Sequence, residues 1–392
     1  MKDVLVVGSV SDNTFVDDIA QHLRQQEDYS DLISLKSFLN REFCPRFIVD
    51  GPETERIGHR LEGKSVLIVS TSVNELSREE MAMRNFLIAR AAKDNGAERV
   101  ILLEPDLYYS AQDRGPRPEH GVTRSERPVE DLKKFDGQPF SARLYAELMK
   151  SAGVDEVVTV HNHSYSVMNI FKDRLNGRFH NLEPSDVYAG YIRDTDIADH
   201  NNLILCAPDK GALPFVESVH QALGDPAVQI LGMAKERKGE RCVCTEVAGN
   251  SCVDLGEIEG RDVIVIDDMV RTGTTIVECC RLLRTARPRR IVFMVTHFYS
   301  SQECRVHLND PAIDEIVTTS TIPQILNRDM QGRLRHKMVV LRIPRWISHH
   351  LMLMLDPESA GLPKPLYIED MSSKNPRYKG RLGPLFSQYY DG

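Results

Sequence analysis

Short apolar runs rich in β-branched residues recur along the chain and are typical of buried parallel strands. Helical stretches lie between several of these runs. The clearest helix begins at the capping box Ser77-x-x-Glu80 and continues with apolar residues through Ala91. This alternation predicts an α/β architecture with mainly parallel sheets flanked by helices. The predicted strands are Val4–Val7, Val66–Val69, Val100–Leu103, Val157–Val160, Leu203–Cys206, Val263–Ile266 and Ile291–Val295.

A weak internal repeat divides this pattern into two halves. Residues 96–99 precede one predicted strand, and the similar segment 287–290 precedes another. The periodicity is interrupted at residues 181–186 and again near Asp356. We therefore predict two similar α/β domains, residues 1–187 and 188–355, followed by a tail of residues 356–392.

Two segments depart from the pattern. Residues 114–138 contain six Lys or Arg, five Asp or Glu and three Pro, which predicts a mobile surface insertion in the N-terminal domain. The tail is rich in Pro, Ser, Gly and Lys but contains aromatic residues, which are rare in disordered segments. We expect the tail to dock on the body of the protein or on a neighbouring subunit. Its aromatic residues are Tyr367, Tyr378, Phe386, Tyr389 and Tyr390.

Composition and charge exclude several classes of protein. The chain has 392 residues, of which 41% are hydrophobic and 27% charged, close to the average of globular proteins. Its net charge of −8 argues against nucleic-acid binding through bulk electrostatics. No apolar run approaches the roughly 20 residues that span a bilayer, and the first run is too short for a signal peptide. We expect a cytoplasmic protein without a membrane or nucleic-acid partner.

The eight cysteines do not predict a disulfide framework or a structural zinc site. Their spacing lacks the C-x2-C pairs that hold zinc. We interpret them as reduced, mostly buried thiols. A redox pair at Cys242 and Cys244 is the alternative.

The most informative segment follows the predicted strand Val263–Ile266. Two acidic residues, Asp267 and Asp268, come first, and a loop rich in Thr and Gly then opens a helix. Backbone N–H groups and hydroxyls at a helix N-terminus bind phosphate, while carboxylates bind ribose hydroxyls or a metal. The pattern therefore predicts a site for a phosphorylated sugar. The alternative is that the two aspartates only cap the following helix.

This segment resembles the phosphoribosyl pyrophosphate binding signature of type I phosphoribosyltransferases and phosphoribosyl pyrophosphate synthetases. Further segments resemble the synthetases in chain order over about residues 1–355, whereas simple phosphoribosyltransferases are shorter and lack the N-terminal half. The chain thus resembles a divergent ribose-phosphate pyrophosphokinase. The matching segments are Phe38-x-Asn40-x-Glu42, Tyr109–Asp113, His161–Ser164, Ala207–Gly211, Lys235–Arg237, Thr296–His297 and Thr321–Gln324.

The resemblance implies two tandem phosphoribosyltransferase-like (type I) domains and pyrophosphoryl transfer from ATP to the C1 hydroxyl of ribose 5-phosphate. It also implies Mg²⁺ as cofactor and a homo-oligomer, either dimeric or hexameric, in which residues 38–42 reach the ATP of a neighbour. Catalysis of this kind depends on positioning and charge neutralisation. The implied roles are ATP binding by Phe38, Asn40, Glu42, Gln112 and Asp113; ribose 5-phosphate binding by Asp267, Asp268, Arg271, Thr272, Gly273, Thr274 and Thr275; a pyrophosphate loop of Asp209, Lys210 and Gly211; metal binding by His163 and Asp209; and catalysis by Lys235 and Arg237 in a loop.

The chain departs from the resemblance at four places. Ala111 stands where the synthetases have an arginine, and His161 where they have an aspartate. Residues 213–215 replace small and basic residues, and Arg271 occupies a position that is often acidic. We expect an altered nucleotide preference or metal geometry, with Arg114 or Arg117 as a substitute for the missing arginine.

Three functions remain open on the sequence. The first is an active diphosphokinase, which the retained residues His163, Asp209, Lys235 and Arg237 favour, because a scaffold has no need of them. The second is a catalytically weak regulatory or scaffolding homologue that binds nucleotide. The third is a phosphoribosyltransferase, which would require a base-binding hood that the sequence does not identify. Lys210 either contacts pyrophosphate or faces solvent.

Overall fold

A computed structural model describes residues 4–48, 56–121, 126–237, 243–247, 254–356 and 366–370. The side chains of residue 200 and of residues 234–237 and 243–247 are outside this description. The described residues form two compact units. The first contains the chain up to Glu183 together with helix Pro344–Leu355, and the second contains Pro184–Ile343 with the short strand Ile368–Glu369.

The first unit is built on a parallel sheet with the strand order β1-β4-β5-β6-β7. Its four predicted strands are confirmed to within one residue at either end. Val66–Val69 are fully buried, as expected for a parallel strand covered on both faces. The strands of this unit are β1 Val4–Gly8, β2 Ile33–Ser37, β3 Phe43–Phe47, β4 Ser65–Val69, β5 Arg99–Leu103, β6 Glu156–Val160 and β7 Phe179–Leu182.

The predicted capping box begins the longest helix of this unit. The N–H of Glu80 donates to Ser77 Oγ at 3.2 Å, and the N–H of Ser77 donates to Glu80 Oε2 at 2.8 Å. Within the part of the chain that the structure describes, no helix is long and apolar enough to cross a membrane. The helices are α1 Thr14–His22, α2 Tyr29–Leu32, α3 Arg78–Asp94, α4 Val129–Lys134, α5 Ser141–Ala152, α6 Tyr165–Arg174 and, late in the chain, α12 Pro344–Leu355.

A hairpin of β2 and β3, which the sequence analysis did not predict, rests against α3. The guanidinium of Arg84 lies over the ring of Phe43 at 4.2 Å and also donates to Ser37 Oγ at 3.4 Å. The same guanidinium donates to Ser9 O at 3.3 Å, at the end of β1. These contacts hold the base of the hairpin, so its turn at residues 38–42 remains exposed.

The insertion at residues 114–138 folds around Arg127, which is only 8% exposed. Its guanidinium donates to three main-chain carbonyl oxygens at 2.6 to 3.1 Å and to Asp131 at 2.8 Å. It also lies over the ring of Phe135 at 5.3 Å. Within the described residues of the insertion, one buried cation thus gathers the surrounding carbonyls and a carboxylate.

The second unit is built on a sheet with the strand order β10-β9-β8-β11-β12-β13-β14-β15. The inner strands are parallel, and β10 and β15 each pair antiparallel at one edge. The three predicted strands are confirmed, although two extend further than predicted. The strands are β8 Leu203–Ala207, β9 Gln229–Arg237, β10 Val243–Val247, β11 Asp262–Val270, β12 Arg290–Phe298, β13 Glu315–Thr319, β14 Met338–Arg342 and β15 Ile368–Glu369.

Helix α9 covers one face of this sheet. Val263 and Val265 of β11 join Ile276 and Cys280 in one buried apolar cluster. The described thiols are free, and burial raises the pKa of Cys280, as expected for the inert buried thiols that we predicted. Cys242 and the side chain of Cys244 lie outside the described residues. The helices of this unit are α7 Ser185–Asp194, α8 Leu213–Leu223, α9 Thr274–Thr285, α10 Gln302–Leu308 and α11 Arg328–Gln331.

The described part of the tail docks on the second unit of the same chain. Tyr367 is 7% exposed, and its ring centroid lies 5.7 Å from that of Tyr191 in an edge-to-face arrangement. β15 pairs with β14, and the N–H of Asp370 donates to Val340 O at 2.8 Å. Residues 371–392, which include the remaining aromatic residues of the tail, lie outside the description.

The unit boundaries differ from the predicted domains. The units divide at Glu183–Pro184, and α12 belongs to the first unit rather than to the predicted domain 188–355. Trp346, Ile347 and Leu351 of α12 are fully buried, and the helix packs against α1. The unit to which a helix belongs depends on the element that covers its apolar side. For α12 this element is α1, which lies far away in the sequence.

A buried carboxyl lies at the end of β5 in the first unit. Glu104 is fully buried and accepts hydrogen bonds from Tyr145 Oη at 2.9 Å, Tyr108 N–H at 3.0 Å and Asn85 Nδ2 at 3.2 Å. Loss of hydration outweighs these bonds and raises the pKa of Glu104 to about 8. The group is therefore mainly protonated at neutral pH. The sequence analysis did not identify it.

This carboxyl predicts alkaline sensitivity of the fold. Because the folded state holds the Glu104 proton more tightly than the unfolded state, stability present at low pH is lost as pH rises from about 4.5 to about 8. The loss amounts to a few kcal/mol, since one pKa unit corresponds to about 1.36 kcal/mol. Urea unfolding at pH 6 and pH 9 should show a smaller decrease in the free energy of unfolding for Glu104→Gln than for the parent. Glu98→Gln, at an exposed position, should behave like the parent. An equal decrease in Glu104→Gln and the parent would contradict the assignment.

Candidate functional site

The carboxyl ends of β8 and β11 form a topological switch point. β8 continues through α8 to β9 on one side, and β11 continues through α9 to β12 on the other. Loops that leave neighbouring strands in opposite directions open a crevice, and open α/β sheets bind their ligands there. The two loops are residues 208–212 and 271–273.

β11 carries the acidic pair Asp267 and Asp268 beyond the end of β8. β8 pairs with β11 only as far as Cys206 with Val265, whereas β12 accompanies β11 to Val270. The predicted end of the strand before the pair was therefore wrong. Both aspartates therefore lie beyond the last pairing of β8, and the Asp267 carboxyl interacts with the side chains of Asp268 and of Asp209 in the loop that follows β8.

Negative charge is concentrated at this place. The pKa of Asp267 is raised well above its usual value, first by loss of hydration and then by the carboxylates of Asp268 and Asp209. The N–H of Asp268 donates to Asp267 Oδ1 at 3.0 Å, and this hydrogen bond partly offsets the rise in the pKa of Asp267. No three His, Cys, Asp or Glu side chains of the described ranges form a group that could hold a metal ion alone. A cation here would therefore take further ligands from a bound molecule or from water.

Asp209 organises the loop after β8. Its Oδ1 accepts hydrogen bonds from the N–H groups of Gly211 at 2.9 Å and Ala212 at 3.2 Å. Lys210 and Gly211 are exposed on this loop. Residues 213–215, where the chain departs from the resemblance, form the first turn of α8, and the Phe side chain among them is buried. The turn therefore presents a cation and a glycine at the switch point.

The loop after β11 leads directly into α9. Arg271, Thr272 and Thr274 are exposed and Thr275 is half-buried. Gly273 occupies the N-cap position, so no side chain caps the first turn of α9. The N–H groups of an uncapped first turn carry the positive end of the helix dipole and bind anions well.

Gly273 is required by its backbone and by its neighbours. Its φ of 81° lies in the left-handed region, and an added Cβ would lie 3.0 Å from Leu308 Cγ and 3.5 Å from His307 Cβ. The segment 301–308 therefore packs against Gly273 in the loop after β11. The sequence analysis missed this segment, because a serine and a histidine on a short helix carry no distinctive pattern.

Lys235 and Arg237 lie on β9 rather than in the predicted loop. The backbone pairs Lys235 with Thr245 and Arg237 with Val243 in the β9–β10 hairpin. β9 stays beside β8 up to the pairing of Gly232 with Ala207 and then continues to Arg237. The hairpin therefore projects beyond the carboxyl end of β8, on the side of the switch point opposite β11.

The predicted ATP segment Phe38–Glu42 forms the turn of the β2–β3 hairpin. The N–H of Phe38 donates to Glu42 O at 2.8 Å, and the N–H of Glu42 donates to Asn40 Oδ1 at 3.2 Å. The ring of Phe38 is 47% exposed, with Lys36 Nζ at 5.1 Å from its centroid. The turn presents an aromatic face and a carboxylate to solvent.

The structure groups three further predicted residues in the first unit. Asp113 is 8% exposed and accepts a hydrogen bond from Ser164 Oγ at 2.6 Å, next to the exposed His163. Gln112 is exposed beside them. Asp113 therefore connects the segment after β5 to the start of α6. His161, which replaces an aspartate, is buried with a left-handed φ of 46°.

The proposed substitutes for the missing arginine have different surroundings. Arg114 pairs with Asp131 at 3.2 Å, and its guanidinium lies over the ring of Phe135 at 5.0 Å. Arg117 is exposed, and its carbonyl accepts a hydrogen bond from Arg127. Arg114 is therefore already engaged within the insertion, and the exposed Arg117 is the better candidate.

Comparisons with known proteins cover most of the chain. The phosphoribosyl transferase domain matches residues 186–323, which contain both loops of the switch point. A ribose-phosphate pyrophosphokinase of Corynebacterium efficiens is 28% identical over 280 residues, or 71% of this chain and 76% of that protein. Ribose-phosphate pyrophosphokinase 2 of Saccharomyces cerevisiae is 28% identical over 277 residues, or 70% and 76%. The phosphoribosylpyrophosphate synthetase from Mycobacterium smegmatis has the same fold, with a TM-score of 0.69 and 21% identity, over 91% of this chain and 99% of that one.

Replacement of Gly273 should be more costly than replacement of an equally left-handed glycine elsewhere. Gly224 ends α8 with a φ of 67° and nothing within 4 Å of an added Cβ. Gly224→Ala should lower the free energy of unfolding by about 1 kcal/mol from backbone strain alone. Gly273→Ala adds the overlap with Leu308 and should lower it by at least about 1 kcal/mol more. Urea unfolding of the two variants measures the difference, and equal losses would show that Leu308 moves away freely.

Proposed function

Because this chain is a divergent member of the ribose-phosphate pyrophosphokinase family, we propose that it transfers the β,γ-pyrophosphoryl group of ATP to the C1 hydroxyl of ribose 5-phosphate. The products are phosphoribosyl pyrophosphate and AMP. The observation that carries this proposal is the switch point. An uncapped helix N-terminus and three interacting aspartates meet there, at the carboxyl ends of the central strands β8 and β11. These two features match the phosphate and the hydroxyls of a sugar phosphate.

Ribose 5-phosphate occupies the loop after β11. Its phosphate accepts hydrogen bonds from the N–H groups and hydroxyls of residues 272–275, with Arg271 at the rim, and its ring hydroxyls donate to Asp267 and Asp268. The raised pKa of Asp267 supports this arrangement, because ribose hydroxyls or a cation would relieve the repulsion among the carboxylates.

The reaction is a displacement at phosphorus. The C1 oxygen forms a bond to the β-phosphorus of ATP, the bond from that phosphorus to the α,β-bridging oxygen breaks, and the hydroxyl proton is released. AMP carries away the bridging oxygen. Positioning and charge neutralisation supply the rate, through the Asp209–Gly211 loop under the pyrophosphate and the cations Lys235 and Arg237 on the projecting β9–β10 hairpin.

Mg²⁺ fits the acidic chemistry of this site. Asp209, Asp267 and Asp268 are oxygen donors of the kind that Mg²⁺ prefers. Loss of hydration, followed by repulsion from the other two carboxylates, raises the pKa of Asp267. Asp209 in the second unit and His163 in the first unit each remain a proposed metal ligand. When bound, the ion neutralises phosphate charge.

ATP is the proposed second substrate. The exposed ring of Phe38, with Asn40 and Glu42 on the same turn, suits a purine base and its polar edge. Gln112 and Asp113 are the proposed contacts on the first unit. The exposed turn of the β2–β3 hairpin suits a homo-oligomer in which residues 38–42 contact the ATP bound to a neighbouring subunit. A cytoplasmic location is proposed, which suits the free cysteines.

The decisive experiment is detection of AMP made from ATP by the full-length protein with Mg²⁺. AMP formed only when ribose 5-phosphate is present supports the diphosphokinase. Nucleotide binding without AMP formation would instead support the regulatory or scaffolding homologue. Consumption of phosphoribosyl pyrophosphate with a nucleobase would support a phosphoribosyltransferase.

The two hairpin cations should act on the chemical step. Lys235→Ala or Arg237→Ala should lower kcat on the order of 10²-fold with little change in unfolding free energy, because each removes a charge that stabilises the transition state. Arg287→Ala removes a 77% exposed cation that pairs with Glu259 in the same unit, and it serves as the control. Near-parental turnover in both hairpin variants would contradict their assignment.

The acidic pair should act on sugar binding. Asp267→Asn combined with Asp268→Asn should raise the KM for ribose 5-phosphate by about 10-fold or more, since charge-assisted hydrogen bonds contribute about 1.5–3 kcal/mol. Asp28→Asn changes an aspartate that caps the short helix α2 and is the matched control. An unchanged KM with lowered stability would show that Asp267 and Asp268 are only structural.

A further inference from the structure

The loop after β11 is anchored by a segment outside every motif of the sequence analysis. Ser301 Oγ donates to Arg271 O at 3.4 Å, and His307 Nδ1 lies 2.8 Å from Thr272 O. Ser301 caps α10 and His307 lies in its last turn. Two successive carbonyls of the loop are therefore held from the same short helix.

The contact with Thr272 fixes the protonation of the imidazole ring. A carbonyl oxygen only accepts hydrogen bonds, so Nδ1 of His307 must carry the proton and donate it. The hydroxyl of Thr274 lies 3.5 Å from the same nitrogen, which is a weaker contact. The bond to Thr272 O is therefore the main polar link between α10 and the loop.

This link sets the direction of the next N–H group. In a planar trans peptide, the C=O and the N–H point in opposite directions. When His307 holds the carbonyl of Thr272 toward α10, the N–H of Gly273 points away from α10. The bond from Ser301 has the same effect on the N–H of Thr272. Both groups lie at the N-terminal entrance of α9, where a carbonyl turned outward would repel an anion.

We propose that His307 is a positioning residue for the 5-phosphate of the sugar substrate. It orients the Thr272–Gly273 peptide so that an N–H rather than a C=O faces the phosphate, and it does not itself contact the substrate. This inference rests on the proposed function, because it assigns the phosphate group to the loop after β11. Packing of the His307 side chain against Gly273, with 3.5 Å between His307 Cβ and an added Cβ, is the competing structural role.

Three substitutions separate the hydrogen bond from the packing. His307→Ala removes both and should raise the KM for ribose 5-phosphate by about 5- to 10-fold, as expected for one hydrogen bond. His307→Asn places an amide N–H near the former Nδ1 position and should restore the KM to within about twofold of the parent. His307→Gln places its amide one bond further out and should behave like His307→Ala. In all three, kcat and the KM for ATP should change by less than about twofold.

His220→Ala is the matched control. The Nε2 atom of His220 also lies 2.8 Å from a carbonyl, that of Val228, in the same unit. Its loss should leave the KM for ribose 5-phosphate unchanged. Three results would overturn the proposal: a parental KM in His307→Ala, equal defects in the Ala, Asn and Gln variants, or a parallel rise in the KM for ATP.

Calorimetric titration of ribose 5-phosphate keeps the two proposals distinguishable. If the parent binds the sugar phosphate but forms no AMP, the proposed reaction fails, and the dissociation constants of the same variants still decide the role of His307. If the parent does not bind the sugar phosphate, both proposals are overturned. Tighter binding by the parent and the Asn variant than by the Ala and Gln variants supports the positioning role.

Discussion

The site of the second unit depends on the unequal lengths of three neighbouring strands. β8 stops at Ala207, whereas β11 runs on to Val270 beside β12 and β9 runs on to Arg237 beside β10. The gap above β8 is therefore bordered by acidic residues on one side and by a hairpin bearing cations on the other. The loop that contains Asp209 follows directly after β8, between these two borders. A phosphorylated sugar and a polyphosphate need this combination of charges at one edge of a sheet.

The two units accommodate acidic groups in different ways. In the first, Glu104 is sealed among Tyr145, Tyr108 and Asn85, and burial keeps it mainly protonated. In the second, loss of hydration and the carboxylates of Asp268 and Asp209 together raise the pKa of the half-buried Asp267. The first arrangement buries a mainly neutral carboxyl, and its cost in stability grows as pH rises from about 4.5 to about 8. The second leaves an electrostatic cost that a bound cation or sugar would relieve, as is common at functional sites.

Three of the four departures from the synthetase pattern lie near Gln112, at His161 and in the residues that follow the Asp209 loop, and the fourth is Arg271 in the loop after β11. Ala111 removes a cation beside Gln112, and the nearby Arg114 is paired with Asp131 inside the insertion. His161 is buried in a left-handed conformation. By contrast, the loop after β11 keeps its acidic pair, its glycine and its threonines. The loop after β11 therefore departs from the pattern only at Arg271 among these residues.

The sequence by itself determined the α/β class, seven strands, the capped start of α3 and the loops of the second unit, because these depend on patterns within about ten residues. Only the tertiary structure decided that β11 extends through its acidic pair beside β12, that α12 belongs with the first unit, that Arg127 organises the insertion and that Lys235 and Arg237 lie on a strand. The support of the loop after β11 by His307 also belongs to this second group. Each of these depends on partners far away in the chain, and contact energies over such separations leave no local pattern to read.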